Sequence, residues 1–296
     1  MSSLLFDRKI ALTFGKPGEE SVKVQDLLIQ FDIEKSLESD PNQATVQVYN
    51  LNRSSRALLQ QDGVAALLEA GYRDTIDRLF VGQVKHSAIE RQGSDVVAKL
   101  EFHDGMQQFQ ESVISQSFGP GVTEKQVLEK LASAMNVGLG VVKGITADVF
   151  QNGISLSGAV RDRLDEITQK MGVEWSIQDN NLQILPKNVP SETLGILLTP
   201  DTGLIGSPTE REDSKDGGKF LEFKSLLRVE LKPGVAVQIQ ARDVNGFFKI
   251  RKVRYQGDNR VGPFECACEA VEVESGAIIL PSSISVDTSG ALEVIA

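Results

Sequence analysis

Gly63-Val-Ala-Ala-Leu-Leu-Glu-Ala-Gly-Tyr-Arg-Asp74 returns in weakened form as Gly234-Val-Ala-Val-Gln-Ile-Gln-Ala-Arg-Asp243. A two-residue gap in the loop brings Arg73-Asp74 onto Arg242-Asp243. Beyond it Leu79 meets Phe248, Val84-Lys-His86 meets Val253-Arg-Tyr255, Arg91 meets Arg260, Gly93 meets Gly262 and Ala98 meets Ala267. The matches keep one offset and fall at equivalent places in runs with the period of a β-strand. A duplicated β unit within one chain is therefore expected. Each copy needs closure or partner strands to manage its edges.

Outward from the first copy, 27–33 alternates Ile29, Phe31 and Ile33 with polar residues, and 44–50 places Val46 and Val48 on one side. Ser39-Asp-Pro-Asn42 between them is turn chemistry, so the two runs read as a hairpin. A short helix is predicted over 52–61, capped by Asn52. Strands are predicted at 64–71, 78–89 and 95–103, with Gly93-Ser94 as a turn. Around the second copy, strands are predicted at 203–210, 220–223, 226–231, 235–241, 247–256 and 264–273. The charged, Gly-rich 210–219 reads as an exposed loop.

The texture changes at about Gln107. Gly119-Pro-Gly121 breaks the chain, and Thr123-Glu-Lys-Gln126 has capping-box spacing. Val127, Leu128, Leu131 and Met135 then form a helical stripe. A second helix fits 159–171, with Val160, Leu164, Ile167 and Met171 inside and Arg161, Asp162, Arg163, Asp165 and Glu166 outside. Val173–Ile177 and 182–185 around Asp179-Asn-Asn181 signal a hairpin, and Trp175, the sole tryptophan, fits its core. The expected fold class is α+β, mostly β. Two tube- or barrel-like antiparallel β domains, 1–107 and 189–275, flank a two-helix plus hairpin module at 108–188. Residues 276–296 read as an extended tail with apolar clusters at 278–280 and 292–295.

The 296 residues leave room for two or three domains. A net charge of −10, from 31 Lys and Arg against 41 Asp and Glu, argues against a nucleic-acid surface or an anionic membrane. No apolar run approaches the roughly 18 residues of a membrane helix, and the N-terminus lacks a signal-peptide pattern. Synthesis in a reducing cytoplasm without an anchor is the expectation. Cys266 and Cys268 share one face of a strand-like run, where core packing is expected rather than a bridge or a zinc site.

Candidate chemistry is sparse. His86 and His103 lie in strand-like runs, without a Gly-x-Ser-x-Gly elbow anywhere in the chain. Gly138-Leu-Gly140 with Gly144 has neither the spacing nor the preceding strand of a dinucleotide loop and reads as loop flexibility. Glu124, Asp162, Asp165 and Glu166 could supply a glycosidase carboxylate pair, although charged helix faces usually serve solvation. No catalytic, cofactor-binding or metal-ligating residue is expected. The alternatives are a tail-associated cell-wall hydrolase or a peptidoglycan-binding module carried by 108–188.

The order of parts resembles the baseplate hub proteins of contractile-tailed phages. Phe31-Asp-Ile-Glu34 through Gln43-Ala-Thr-Val-Gln-Val-Tyr-Asn-Leu51 is similar to that family's opening hairpin. Leu68-Glu-Ala-Gly-Tyr72, Phe80-Val-Gly82, the helix after Gly119 and the Trp175 hairpin follow in the family's order. Spike-hub subunits of type VI secretion share this architecture. The resemblance covers roughly residues 25–273 and implies a structural role in the virion baseplate. It implies a homotrimer whose two β domains per chain present six similar units, adapting a sixfold tail tube to a threefold central spike. The implied partners are tube, spike, tape measure and other baseplate proteins. The acidic balance suits a channel that DNA traverses without sticking.

Overall fold

The computed structural model describes residues 6–38, 42–73, 75–103, 112–145, 148–192, 195–212, 218–273, 285–286 and 292–293. Strands β1 (Arg8–Gly15), β2 (Val22–Val24), β3 (Ile29–Ser36) and β4 (Gln43–Tyr49) lead into helix α1 (Arg53–Leu59). Asn52 caps this helix by accepting the Ser55 amide. β5 (Ala65–Tyr72), β6 (Thr75–Gln92) and β7 (Asp95–His103) complete the first β unit. The middle segment comprises β8 (Val113–Phe118), β9 (Val122–Thr123), α2 (Glu124–Ala134), β10 (Gly138–Val142), β11 (Val149–Phe150), β12 (Ile154–Ala159), α3 (Val160–Met171), β13 (Val173–Gln178) and β14 (Asn181–Pro186). The second β unit runs through β15 (Gly195–Leu198), β16 (Leu204–Glu212), β17 (Lys219–Leu226), β18 (Ala236–Gln240), β19 (Asn245–Asp258) and β20 (Phe264–Glu272). Two short strands, β21 (Ser285–Val286) and β22 (Leu292–Glu293), pair with each other; the rest of the predicted tail lies outside the described residues.

The duplication is a duplication of topology. The first unit orders its strands β3-β4-β7-β6-β5-β1, and the second β16-β17-β20-β19-β18-β15. The last strand differs: β1 runs antiparallel to β5, whereas β15 runs parallel to β18. The two units share one large core and fuse into one 13-stranded sheet because β19 also pairs with β3.

The residue matches need correction after the gap. Gly63 and Gly234 do correspond: both have positive φ, 78° and 90°, just before equivalent strands. The Val84 amide bonds the Val64 carbonyl, and the Ile250 amide bonds the Val235 carbonyl. Val84 therefore corresponds to Ile250, not Val253. The β5–β6 hairpin is longer than β18–β19 by five residues, since 84 − 64 is 20 and 250 − 235 is 15. A slip of three, an odd number, puts side chains on opposite faces. Likewise Ala98, opposite Val48, corresponds to Cys266, opposite Ser225, and not to Ala267.

Three further expectations change. The run 226–231 is a strand only at its first residue: β17 ends at Leu226, opposite Glu265, and Leu227, Val229 and Leu231 are buried from a turn-rich segment. The Tyr255 hydroxyl donates to the Leu231 carbonyl at 2.7 Å, anchoring that segment from the core side. The loop at 210–219 is shorter than predicted, because β16 continues to Glu212 and β17 starts at Lys219. Gly138-Leu-Gly140 is strand β10, parallel to β14. Its glycines allow close approach, since a Cβ on Gly138 would lie 2.3 Å from Asn181 Oδ1.

The middle segment has its own core. Val127, Leu128, Leu131 and Met135 from α2 meet Leu164 and Ile167 from α3 and Trp175 from β13. The Thr123–Gln126 capping box is formed reciprocally. Asp179 and Asn180 both take positive φ, 49° and 64°, the backbone a primed two-residue hairpin turn demands.

Candidate assembly interface

Two sets of residues place the parts of the chain against one another, the β19–β3 junction and the ties holding the middle segment, and several strands are left with a single neighbour.

β19 is long enough to serve two neighbours on one side. Residues 245–249 pair with β18, and 252–258 pair with β3 from Lys252↔Ser36 to Asp258↔Gln30. β20 lines its other side. Tyr255 and Ile33 stand opposite each other and fully buried. On the outer face Arg254 Nε donates to Asp32 Oδ1 at 2.8 Å, Gln256 donates to the same carboxylate at 3.1 Å, and Lys252 Nζ lies 2.7 Å from Glu34 Oε1. The bond from Arg254 holds the Asp32 carboxyl below its ordinary pKa, outweighing partial desolvation. Asn259 closes the end: it accepts the Ile29 amide and donates to the Leu27 carbonyl.

Gly257 is a steric requirement of this junction. It faces Phe31, and a Cβ there would lie 2.2 Å from the Phe31 ring, which packs edge-on against Phe264 at 6.4 Å. Gly257→Ala is expected to cost about 1–3 kcal/mol through overpacking. Denaturant unfolding measures this, and Phe31→Leu in the same background should recover part of the loss. Unchanged stability would mean the ring has room to move.

Buried polar groups tie the middle segment to the sheet. Lys35, 2% exposed, bonds Asp179 Oδ1 at 2.9 Å. Asn42 Nδ2 donates to the Ile177 carbonyl at 3.1 Å, and Gln178 Nε2 donates to the Ser36 carbonyl. Lys249, fully buried, donates to the Pro186 and Lys187 carbonyls at 2.7 and 3.0 Å. Burial pulls the Lys249 ammonium down to about 8. For Asp179, burial acts upward, but Lys35 and Lys232 outweigh it and leave the carboxyl below its ordinary value. The sequence reading has Asn42 and Asp179 only as turn residues and does not reach Lys35, Gln178 or Lys249. The sign available there is phase: Lys35 continues the core-facing series Ile29, Phe31, Ile33.

The residues weighed for chemistry are dispersed. His86 is exposed on β6, and His103 ends β7. Glu124 opens α2. Asp162 pairs with its neighbour Arg161, Glu166 pairs with Arg163, and Asp165 accepts the Trp175 indole N–H at 2.7 Å. Cys266 and Cys268 are free and buried, and burial pushes the Cys266 thiol up to about 12. Among the described residues no group of three His, Cys, Asp or Glu could hold a metal ion, and no helix is long and apolar enough to cross a membrane.

β2, β15, β16 and the far part of β6 each have a single neighbour among the described strands. β16 ends the sheet and pairs only with β17. It is exposed along nearly its whole length. β6 pairs with β5 as far as Gln83, and beyond it residues 86–92 pair with β7 alone among the described strands.

The family model described as Baseplate hub gp41 matches residues 9–270. The chain belongs to this baseplate hub family. Solved structures agree on the fold. A 43 kDa tail protein of prophage MuSo2 from Shewanella oneidensis is 12% identical with a TM-score of 0.63, over 90% of this chain and 98% of that one. A tail protein from Neisseria meningitidis MC58 is 11% identical with a TM-score of 0.61, over 92% and 99%. A type VI secretion component of E. coli, itself structurally similar to the T4 bacteriophage tail proteins gp27 and gp5, is 11% identical with a TM-score of 0.60, over 91% and 79%. Comparison with curated protein sequences found no significant match.

Proposed function

We propose that this hub-family chain is a structural, non-catalytic subunit of a contractile tail, acting as a homotrimer that joins a sixfold tail tube to a threefold central spike. The observation that carries the reading is the pair of β units in one chain, with the same strand order and joined edge to edge. Three such chains supply six like units to the tube and a threefold arrangement to the spike. In this reading 1–107 and 189–275 are the tube-like domains, 108–188 is the module inserted between them, and 276–296 is a docking tail. The partners are the tube, spike, tape measure and neighbouring baseplate proteins. Host-cytoplasmic synthesis precedes assembly, and the net acidity eases DNA through the channel.

Native mass and negative-stain imaging test this. The expected result is a ring of three times the 32.2 kDa chain mass, with an open centre. A monomer at every concentration, alone and with the cognate spike protein, would overturn it. Tight, salt-sensitive binding of duplex DNA to the ring would overturn the channel role alone.

A further inference from the structure

We propose that the tail of this chain, residues 276–296, seats its carboxylates in a basic cavity between the two β units of the same chain. The proposal rests on the reading of 276–296 as a docking tail and names the place where it docks.

A cavity of about 490 Å³ opens where the start of β1, the β2–β3 loop, the β5–β6 turn and the β19–β20 turn converge. Arg8, Lys9, Arg73 and Arg260 line it, against two acids, Asp7 and Asp26. That excess of cations stands out in a chain whose net charge is −10. Most of it is not cancelled locally. Arg8 donates to the Asp258 and Gly262 carbonyls at 3.3 and 2.7 Å, Arg260 donates to the Asp26 carbonyl at 3.3 Å, and the Arg73 guanidinium lies over the Phe6 ring. Those partners are neutral. Among the described residues only Lys9 of the four has a carboxylate partner, Asp7 at 3.7 Å. The rim is also held in a costly conformation. Asp7 and Arg73 take positive φ, 60° and 49°, and the Arg73 amide bonds the Asp7 carbonyl at 2.8 Å. Strain of this kind gathers at ligand clamps.

The tail has the complementary chemistry. No lysine or arginine follows Arg260 in the sequence. Residues 276–296 carry Asp287 and Glu293 beside the apolar Leu292, Val294 and Ile295. The cavity margin offers the same mixture: Phe6, 46% exposed, lies under Arg73, and Val261, 84% exposed, follows Arg260. A phosphate backbone fits less well, because it brings no apolar side chain and its repeated charge would meet Asp7 and Asp26.

Chain length fits as well. The tail departs from the far end of β19, where the Val273 amide bonds the Phe247 carbonyl. From Phe247 to Arg260 is 260 − 247, or 13 residues, about 43 Å of strand. Asp287 lies 287 − 273, or 14 residues, along the tail, which spans up to about 50 Å when extended. A tail running back along the sheet therefore brings Asp287 to the cavity. The β21–β22 pairing keeps Glu293 opposite Ser285, two residues from Asp287. Tethering makes this contact intramolecular, which favours the tail over a free acidic segment.

Zero-length cross-linking of the full chain supplies the test. A carbodiimide joins an amine to a carboxylate only where the two meet. Tryptic mass spectrometry should find Lys9 joined to Asp287 or Glu293 about tenfold more often than the exposed Lys125 is joined to either. Arg260→Glu should weaken that link and speed elastase cleavage of the tail by about tenfold, and Lys125→Glu should do neither. Asp287→Asn, which leaves the sheet untouched, should speed cleavage in the same way. Links between isotope-labelled and unlabelled chains in an equal mixture would overturn the seat within one chain. A tail that resists elastase without any link to Lys9 would overturn this cavity and leave the docking tail standing. A tail cut as fast as the free 276–296 peptide would overturn both.

Discussion

Asp179→Asn is expected to lower the unfolding free energy by about 3 kcal/mol, the scale of leaving a buried charge without its counter-charge. The residue sits in the β13–β14 turn, and its carboxylate balances Lys35, which β3 carries on its core-facing side. Asparagine keeps the shape and tolerates the positive φ of 49° that the turn requires, so the loss isolates charge from backbone strain. Lys35→Met should behave differently and cost about 1 kcal/mol or less, because Asp179 is partly exposed and retains Lys232 at 3.6 Å. Denaturant unfolding of both variants decides the matter. Equal losses would mean that the pair's value lies in its mutual geometry rather than in the desolvated lysine.

The same ion pair sets a pH dependence with a definite sign. Asp179 has a folded pKa below its ordinary 3.8, so the unfolded chain binds its proton first as pH falls. Its contribution is fully present above about pH 4 and is lost as pH drops through the folded value. The stability gap between the natural chain and Asp179→Asn should therefore be constant near neutrality and close only in strong acid. A gap that narrowed between pH 8 and 6 would point to another titrating group.

Local chemistry made much of this fold legible and tertiary chemistry hid the rest. Asn52 and the Thr123–Gln126 box cap their helices with side chains three residues from the bonded amides, so short sequence windows contain the whole signal. The Asp179-Asn180 turn is local for the same reason. β8 and β12 were not legible: Ser115, Gln116 and Ser117 pair with Ser157, Leu156 and Ser155 in a largely exposed ribbon with little apolar alternation. The repeat was legible in its existence but not in its register. Chance identities such as Arg91 with Arg260 rewarded a short gap, whereas the bulges and the longer first hairpin are backbone features. The assembly edges were invisible for a related reason. Whether a strand such as β16 is an edge depends on which strands reach it, and that is a property of the whole sheet.

Trp175→Ala is expected to cost about 3–5 kcal/mol, the usual toll of an aromatic cavity in a core. Trp175 is 4% exposed among Leu128, Leu164 and Ile184 in a core distinct from that of the large sheet. Asp165 also loses the indole N–H it accepts, whereas Trp175→Phe gives up that bond, keeps most of the bulk and should cost only about 1 kcal/mol. Where the loss appears matters more than its size. Hydrogen exchange should show protection falling across α3 and the β13–β14 hairpin while β3, β19 and β20 hold, because the cavity opens in the smaller core. A uniform loss would carry a different meaning. It would show that Lys35–Asp179, Asn42–Ile177 and Lys249–Pro186 make the middle segment and the sheet one cooperative unit. The segment would then brace the junction between the two β units rather than ride on it.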